Sequence, residues 1–560
     1  MSDAVPLHGS AFHALDRPRQ GHTRARPLTP HEEQSPIELT LLLRERPFAP
    51  TVQQTLAWLH TEPHRHDHFD DAAVAARHAF APQDRDVVVR WARAGGAQVL
   101  GEDSASRRIR VRATAARAAE LFGVRLEQFR WQRPGGFVEY RGHLGPVSLP
   151  RSIAHAVTGV YGLDDRPVAT PRLARLDRTR PGVVSYDPPE VAAIYRYPRL
   201  PNDGAGLHLV AGMVELGGVT HHADVAAAFG RLGLPAPEIV NVAVDGAQPS
   251  PDPGGADLEI ALDYQVIGAM VMALAPRAKL TIVSYNAPNC ERGFIDAAAA
   301  AAGDATHRPA AVSISWGGSE DAWSHQGIRG LDDVFAGGSL RGVTYSAAAG
   351  DAGSDDGHLD GRQHPEFPAS SPHVWACGGT TLLATRDGIL SETVWNERFR
   401  ERGTAGSGVS NVFATPAYQA RAHIHPRNAD TGRPGRGLPD GSGVADPVTG
   451  WNILAGGRMH ISGGTSAVAP MYTALWTLVA SLRGRRLGLP HPLLYGAAGR
   501  DFNDVKQGDT GGPYSAKRGW DAASGWGSPD GGAIARTLGA PSLKHRPHTR
   551  RPHEPEGLAL

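Results

Sequence analysis

The sequence predicts an α/β protein: a parallel sheet interleaved with helices over residues 186–540, preceded by a smaller α+β unit over 38–165. Two observations carry this. In the larger unit the apolar runs of "GLHLVAGMVELGG", "AKLTIVSYNAP", "PAAVSISWGG" and "GVTYSAAAGDAG" each stop at Gly, Asn or Pro. Helical segments such as "HADVAAAFGRLG" and "FIDAAAAAA" lie between them, as a parallel sheet requires. In the smaller unit the order is helix, strand, strand, helix, strand, which suits helices on one face of an antiparallel sheet. A chain of 560 residues also leaves room for more than one domain.

Residues 1–37 begin "MSDAVPLHGSAFHALDRPRQGHTRARP", without a charged start followed by an apolar stretch. No standard secretory signal is readable there, and a disordered polar tail is expected. In the first unit "PQDRDVVVRWARAGG" is a helix ended by glycine. "AQVLGED" and "RRIRVRAT" are strands, the second alternating Ile109, Val111 and Ala113. Thr114 can cap "AARAAELFG", and "VRLEQFRW" follows as a strand. "HRHDHFDD", 64–71, is expected as a solvated segment; its His64, His66 and His68 could also sense pH.

Residues 166–185, rich in Pro and Arg with no apolar period, form an expected exposed linker and a place for proteolysis. Within 186–540, residues from about 399 to 450 are rich in Gly and Pro and are expected as surface loops. Residues 541–560 form a second expected disordered tail.

Lys+Arg and Asp+Glu balance at 57 each, so net charge gives no reason to expect nucleic acid or an acidic membrane as partner. No apolar run is long enough to span a bilayer. Cys290 and Cys377 allow one disulfide at most and are expected as buried thiols.

In open α/β sheets function gathers at the carboxyl ends of strands, which draws attention to Glu215, Trp316 and Asp351. "ISGGTSAVAP" sets Ser466 before an apolar helix, as a nucleophile or as a helix cap. No "HGT"-like histidine motif precedes it. The helix "DLEIALDYQVIGAMVMALAP" offers another base: Glu259 and Asp263, four residues apart, share one face. On a solvated face they are ordinary, but in a desolvated cleft they would hold a proton between them and favour acidic pH. A tetrahedral intermediate needs donors, which the Ser466 N–H and a protonated Asp351 could supply.

The chain order Glu-x-x-x-Asp, Gly-Asp, Gly-Thr-Ser-x-x-x-Pro resembles the sedolisins, the serine-carboxyl peptidases, and their kumamolisin-like members in particular. The likeness extends to "GMVELGG", "SISWGGSEDAW", "SAAAGDAGSDDG", "FPASSPHVWACGGT", "ETVWN" and "GVSNVF", and 38–165 resembles the family's activation pro-domain. The resemblance implies a subtilisin-like parallel sheet with helices on both faces behind a ferredoxin-like pro-domain. It implies an acid-acting endopeptidase made as a zymogen, secreted and monomeric, acting on proteins or peptides. The pro-domain would be its intramolecular inhibitor. Ser466 would be the nucleophile, Glu259 the base, Asp263 its orienting partner and Asp351 the oxyanion acid. Glu215 and Trp316 would form a supporting network. Glu366, where kumamolisin-like enzymes have aspartate, would shape the substrate cleft. One Ca²⁺ would be held by the carboxylates of Asp504 and Asp521 with the carbonyls of Val505, Lys517 and Gly519. The competing expectations are a catalytically inactive relative serving as a binding or scaffold module, and a subtilisin-type enzyme with an unrecognised histidine.

Overall fold

The computed structural model describes residues 4–11, 21–47, 49–61, 71–133, 136–176, 183–252, 255–385, 388–400 and 402–541. His64, His66 and His68, and all of the carboxyl-terminal segment beyond residue 541, lie outside them.

In the first unit Pro36–Leu43 is flanked by Arg108–Thr114 and Val157–Tyr161, with Gln98–Asp103 beyond Arg108–Thr114, all antiparallel. Helices Pro82–Ala94 and Ala115–Leu121 complete a ferredoxin-like strand–helix–strand–strand–helix–strand order. Ile109, Val111 and Ala113 face its core while Arg110 and Arg112 face out. Thr114 caps the second helix, its hydroxyl accepting from the Arg117 N–H.

The amino-terminal segment corrects the expectation of a tail. Ala4–Pro6 pairs with Ser148–Pro150, His22–Pro27 pairs with Leu126–Arg133, and Leu7 joins the buried core. An added strand is held by main-chain hydrogen bonds, so it needs no apolar run of its own.

The larger unit is built on an eight-stranded sheet. Glu238–Ala243, Lys279–Asn286, His208–Glu215, Ala311–Ile314, Thr344–Ala348 and Trp375–Thr385 lie side by side in parallel. Gly388–Val394 adds antiparallel, and Gly441–Val444 adds parallel, to Trp375–Thr385. One apolar core joins the sheet to helices Ala256–Leu274 and Val468–Arg483, and a second joins it to Glu291–Gly303 and His325–Leu340. Cys290 and Cys377 are free and buried. Among the described residues no helix is long and apolar enough to cross a membrane.

Two stretches depart from their expected exposure. Residues from about 399 to 450 carry a strand of the central sheet and bury Arg436 and Asp440 completely. Irregular backbone can be buried here because side chains satisfy it: Asp440 accepts from the Ala376 N–H at 2.7 Å and Gln419 donates to the Gly437 carbonyl at 2.7 Å. The connector after the first unit is likewise not loose throughout. Thr170–Pro171 pairs antiparallel with Trp316–Gly317, and Ala174–Leu176 pairs antiparallel with Ile461–Gly463. Its Pro and Arg content hides these pairings because each involves only two or three residues.

The first unit docks through one buried and one partly buried ion pair. Arg108 meets Asp296 at 3.1 Å, and Arg292 meets Glu38 at 3.1 Å. The Tyr161 hydroxyl donates to the Gln326 carbonyl at 3.0 Å.

Candidate active site

Helix Ala256–Leu274 runs through the core and is buried from Ala256 to Met272. Glu259 and Asp263 are therefore desolvated rather than on a solvated face, each 0% exposed. Ser466 sits in the turn Thr465–Ala467 before Val468–Arg483, a helix without a side-chain cap. The Ser466 hydroxyl instead donates to Glu259 Oε2 at 3.0 Å and lies against the carbonyl oxygen of Arg172. Its side-chain partner is a carboxyl group, not a histidine.

Behind this pair the carboxyl groups continue. Ser315, which follows Ala311–Ile314, donates to Asp263 Oδ1 at 2.7 Å and lies 3.2 Å from the Ser466 carbonyl. Glu215 ends its strand with Oε2 accepting from Trp316 Nε1 at 2.8 Å. Glu259 Oε1, Asp263 Oδ2 and Glu215 Oε1 are buried without a hydrogen-bond partner. Protons carried by the carboxyl groups themselves can satisfy such oxygens. Burial pushes Glu259 well above the usual carboxylate range, and Asp263 and Glu215 add to the effect. Burial raises Asp263 to about 7, against the Ser315 hydroxyl, and raises Glu215 strongly, with Asp263 adding to it.

Asp351 lies three residues beyond Thr344–Ala348. Its Oδ1 accepts from the Thr465 N–H at 2.7 Å and the Thr465 hydroxyl at 2.8 Å, and its Oδ2 is buried without a partner. Burial raises Asp351 to about 7, opposed by the Thr465 donors and by Arg172. The Ser466 N–H donates to the Arg172 carbonyl at 3.0 Å. Gly464, at φ +95°, makes room for this approach: a Cβ there would collide with both the Arg172 carbonyl oxygen and Asp351 Oδ2. An amide N–H thus reaches the Arg172 carbonyl oxygen, and the Asp351 carboxyl lies on the same side of Gly464 as that oxygen.

Glu366 starts the short strand Glu366–Phe367, paired with Gly318–Ser319, and is 2% exposed. It receives the Arg172 guanidinium through two hydrogen bonds, Nε at 2.7 Å and Nη2 at 2.8 Å. Asp356 stands 3.4 Å from the same guanidinium. Sequence reasoning missed Arg172, Ser315, Thr465 and Asp356. Ser315 and Thr465 adjoin residues already singled out, Trp316 and Ser466, and could have been found on that ground. Arg172 and Asp356 carry no local signal.

Near the carboxyl terminus the Asp504 and Asp521 carboxylates each meet the backbone of the segment from Lys517 to Gly519, and Val505 follows Asp504 in the chain. The Gly519 N–H donates to Asp504 Oδ1 at 3.2 Å, and the Lys517 N–H to Asp521 Oδ2 at 2.8 Å. Among the described residues no group of three or more His, Cys, Asp or Glu is arranged to hold a metal. The expected set of two carboxylates and three peptide carbonyls would be all oxygen, the donor chemistry that Ca²⁺ takes, and in this structure the two carboxylates accept from backbone N–H groups.

The activation-domain family of pro-kumamolisin matches residues 23–166. Kumamolisin from Bacillus sp. (strain MN-32) is 39% identical over 493 residues, covering 85% of this chain and 87% of the relative. Sedolisin from Pseudomonas sp. (strain 101) is 28% identical over 445 residues, covering 75% of this chain and 72% of the relative. The solved Pseudomonas sedolisin, a serine-carboxyl proteinase complexed with two molecules of pseudo-iodotyrostatin, superimposes with a TM-score of 0.55 at 28% identity. That match covers 64% of this chain and 98% of that one. The chain therefore belongs to the sedolisins, the serine-carboxyl peptidases, as a kumamolisin-like member made with its activation pro-domain.

Proposed function

We propose that this serine peptidase is an acid-acting endopeptidase that cuts through an acyl-enzyme on Ser466. The observation that carries the reading is the Ser466 hydroxyl bonded to Glu259 at the head of buried carboxyl groups. Glu259 takes the serine proton as Oγ attacks and gives it to the leaving amine. Asp263 holds Glu259 in place and shares its proton, backed by Glu215 and Trp316. The Ser466 N–H and protonated Asp351 stabilise the tetrahedral oxyanion.

The sign of the pH dependence follows. Asp351 must be protonated to donate, and it is raised to about 7, so activity is present below that value and lost as pH rises through it. At the acid limit the carboxyl groups lose the negative charge that makes Glu259 a base.

The test is proteolysis of an unfolded protein from about pH 3 to 8 by the wild type, Ser466→Ala and Glu259→Gln. Each variant is expected to lose about 10,000-fold or more. Activity surviving Glu259→Gln would point to another base. No activity in wild type at any pH would point to a scaffold protein.

The first unit and its connector form the inhibitor, removed by a cut within the connector. The enzyme works outside the cell as a monomer. One Ca²⁺ would be held by the carboxylates of Asp504 and Asp521 with the carbonyls of Val505, Lys517 and Gly519, and would stabilise that loop. A chelator is expected to lower Tm by about 5 °C or more; an unmoved Tm removes calcium from the proposal.

A further inference from the structure

We propose that Ser315 is a positioning residue: its hydroxyl holds the negative charge of the Glu259–Asp263 pair and so sets how far into acid this enzyme still cuts. The proposal rests on the peptidase reading above and adds to it the group that fixes the acid limit.

Ser315 follows the strand Ala311–Ile314 and is 0% exposed. Its hydroxyl has one proton and two acceptors in reach. Asp263 Oδ1 lies at 2.7 Å and the Ser466 carbonyl oxygen at 3.2 Å. The closer partner is the carboxyl group, and a hydrogen bond to an ionised acceptor is the stronger kind. The proton therefore goes to Asp263, and the bond favours the ionised pair over the doubly protonated one.

The surroundings leave this task to a hydroxyl. Burial raises Asp263, and the Ser315 hydroxyl opposes it first, with Ser313 after it. The groups that raise Glu259 beside it are carboxyl groups: Asp263 on the same helix, Glu215 from its strand end, and Asp351 from beyond Thr344–Ala348. Arg172, from the connector, acts on Asp351. A neutral donor holds a charge less firmly than a cation does, so the pair can still take its second proton in acid.

The bond can also reverse, because a hydroxyl both donates and accepts. Once Asp263 carries a proton on Oδ1, it donates to Ser315 Oγ, and Ser315 turns its own proton to the Ser466 carbonyl. The turn that carries the nucleophile is then tightened as the base is lost.

The sign of the effect follows. Without the hydroxyl the ionised pair loses a donor, so the second proton binds at higher pH and the acid limb of activity moves up. Peptide binding is a separate matter. The Ser315 main-chain carbonyl accepts from the Arg172 N–H at 3.0 Å, and a side-chain substitution leaves it in place.

Full-length wild type, Ser315→Ala, Ser315→Cys and Ser315→Thr are acidified and then assayed on one peptide from about pH 2 to 7, with Tm taken for each. In Ser315→Ala the acid limb of kcat/KM should move up by about one pH unit, with KM at the optimum changed less than about 3-fold. Ser315→Cys keeps the shape and donates weakly, so it should move the limb part of the way, and Ser315→Thr should bring it back. Where a variant does not shorten on acidification, the assay is made on the chain as it stands. A limb that stays in place while kcat falls at every pH means that Ser315 is only structural, and overturns the proposal. So does a limb that moves down, or complete loss of activity at unchanged Tm. Cutting that persists in Glu259→Gln, or a wild type without an acid limb, overturns the peptidase reading instead.

Discussion

Two groups of fully buried ionisable residues lie in the larger domain, and they behave in opposite ways. Around Asp440, Arg436 Nη2 approaches to 2.6 Å, His491 Nε2 to 3.1 Å, and the Tyr495 hydroxyl donates at 2.6 Å. Asp440 stays ionised, held down at about 2, because the Arg436 and His491 charges overcome its burial. Around Glu259 burial raises the pKa, other carboxyl groups, Asp263 and Glu215 foremost, add to it, and only the Ser466 hydroxyl opposes them. Both groups are equally dry. What differs is whether a cation was buried with the acid. A buried carboxylate with its cation is a fixed strut, while buried carboxyl groups without one must carry protons, and protons can be moved.

The comparison breaks first at Asp440. Asp440→Asn leaves Arg436 as an uncompensated buried charge, which costs about 3–5 kcal/mol. Thermal unfolding of the Ser466→Ala chain should show Tm falling by about 10 °C. The same substitution should change cutting per folded molecule by less than about 3-fold, since no acid in that group reaches the nucleophile. A large loss of activity at unchanged Tm would mean the two groups are one system.

A smaller effect sharpens the comparison through pH. Asp263, Asp351 and Glu320 are each raised to about 7 by burial, above their unfolded values. Acids of this kind stabilise the fold fully below their unfolded pKa, near 4, and that stability is lost as pH rises through about 7. Asp440 has the opposite sign, but its window lies between about 2 and 4. Tm of Ser466→Ala, measured so that self-digestion does not intrude, should therefore fall by about 5 °C or more between about pH 5 and 8. A Tm that climbs over that range would mean that the carboxyl groups near Ser466 are ionised in the fold.

How much of this was legible in sequence depends on the distance over which each feature is encoded. The Glu259–Asp263 spacing is one helical turn, and the apolar character of its helix is written within 20 residues, so both the pair and its desolvation could be read. Strand ends marked Glu215, Trp316 and Asp351 for the same local reason. The pairing of Arg172 with Glu366 joins positions 194 apart, and nothing near either one announces the other. Asp440 looked like part of a glycine-rich loop because its partners His491 and Tyr495 are 51 and 55 residues away. The amino-terminal strands were missed because pairing on one side, at the edge of a small sheet, asks for extended backbone rather than apolar side chains. Loops that bury charge and strands that carry polar residues are the features that composition describes least well.

The connector strands on both sides of Ser466 have a kinetic consequence. A chain built this way leaves synthesis as a saturated complex with itself. Its ligand is tethered, at an effective concentration on the order of millimolar set by the chain and not by its surroundings. Dilution does not release it, and foreign peptides must outcompete it. On the proposed function a first cut in the connector would be first order in protein, and each new chain would pass through that one event of its own before acting on anything else.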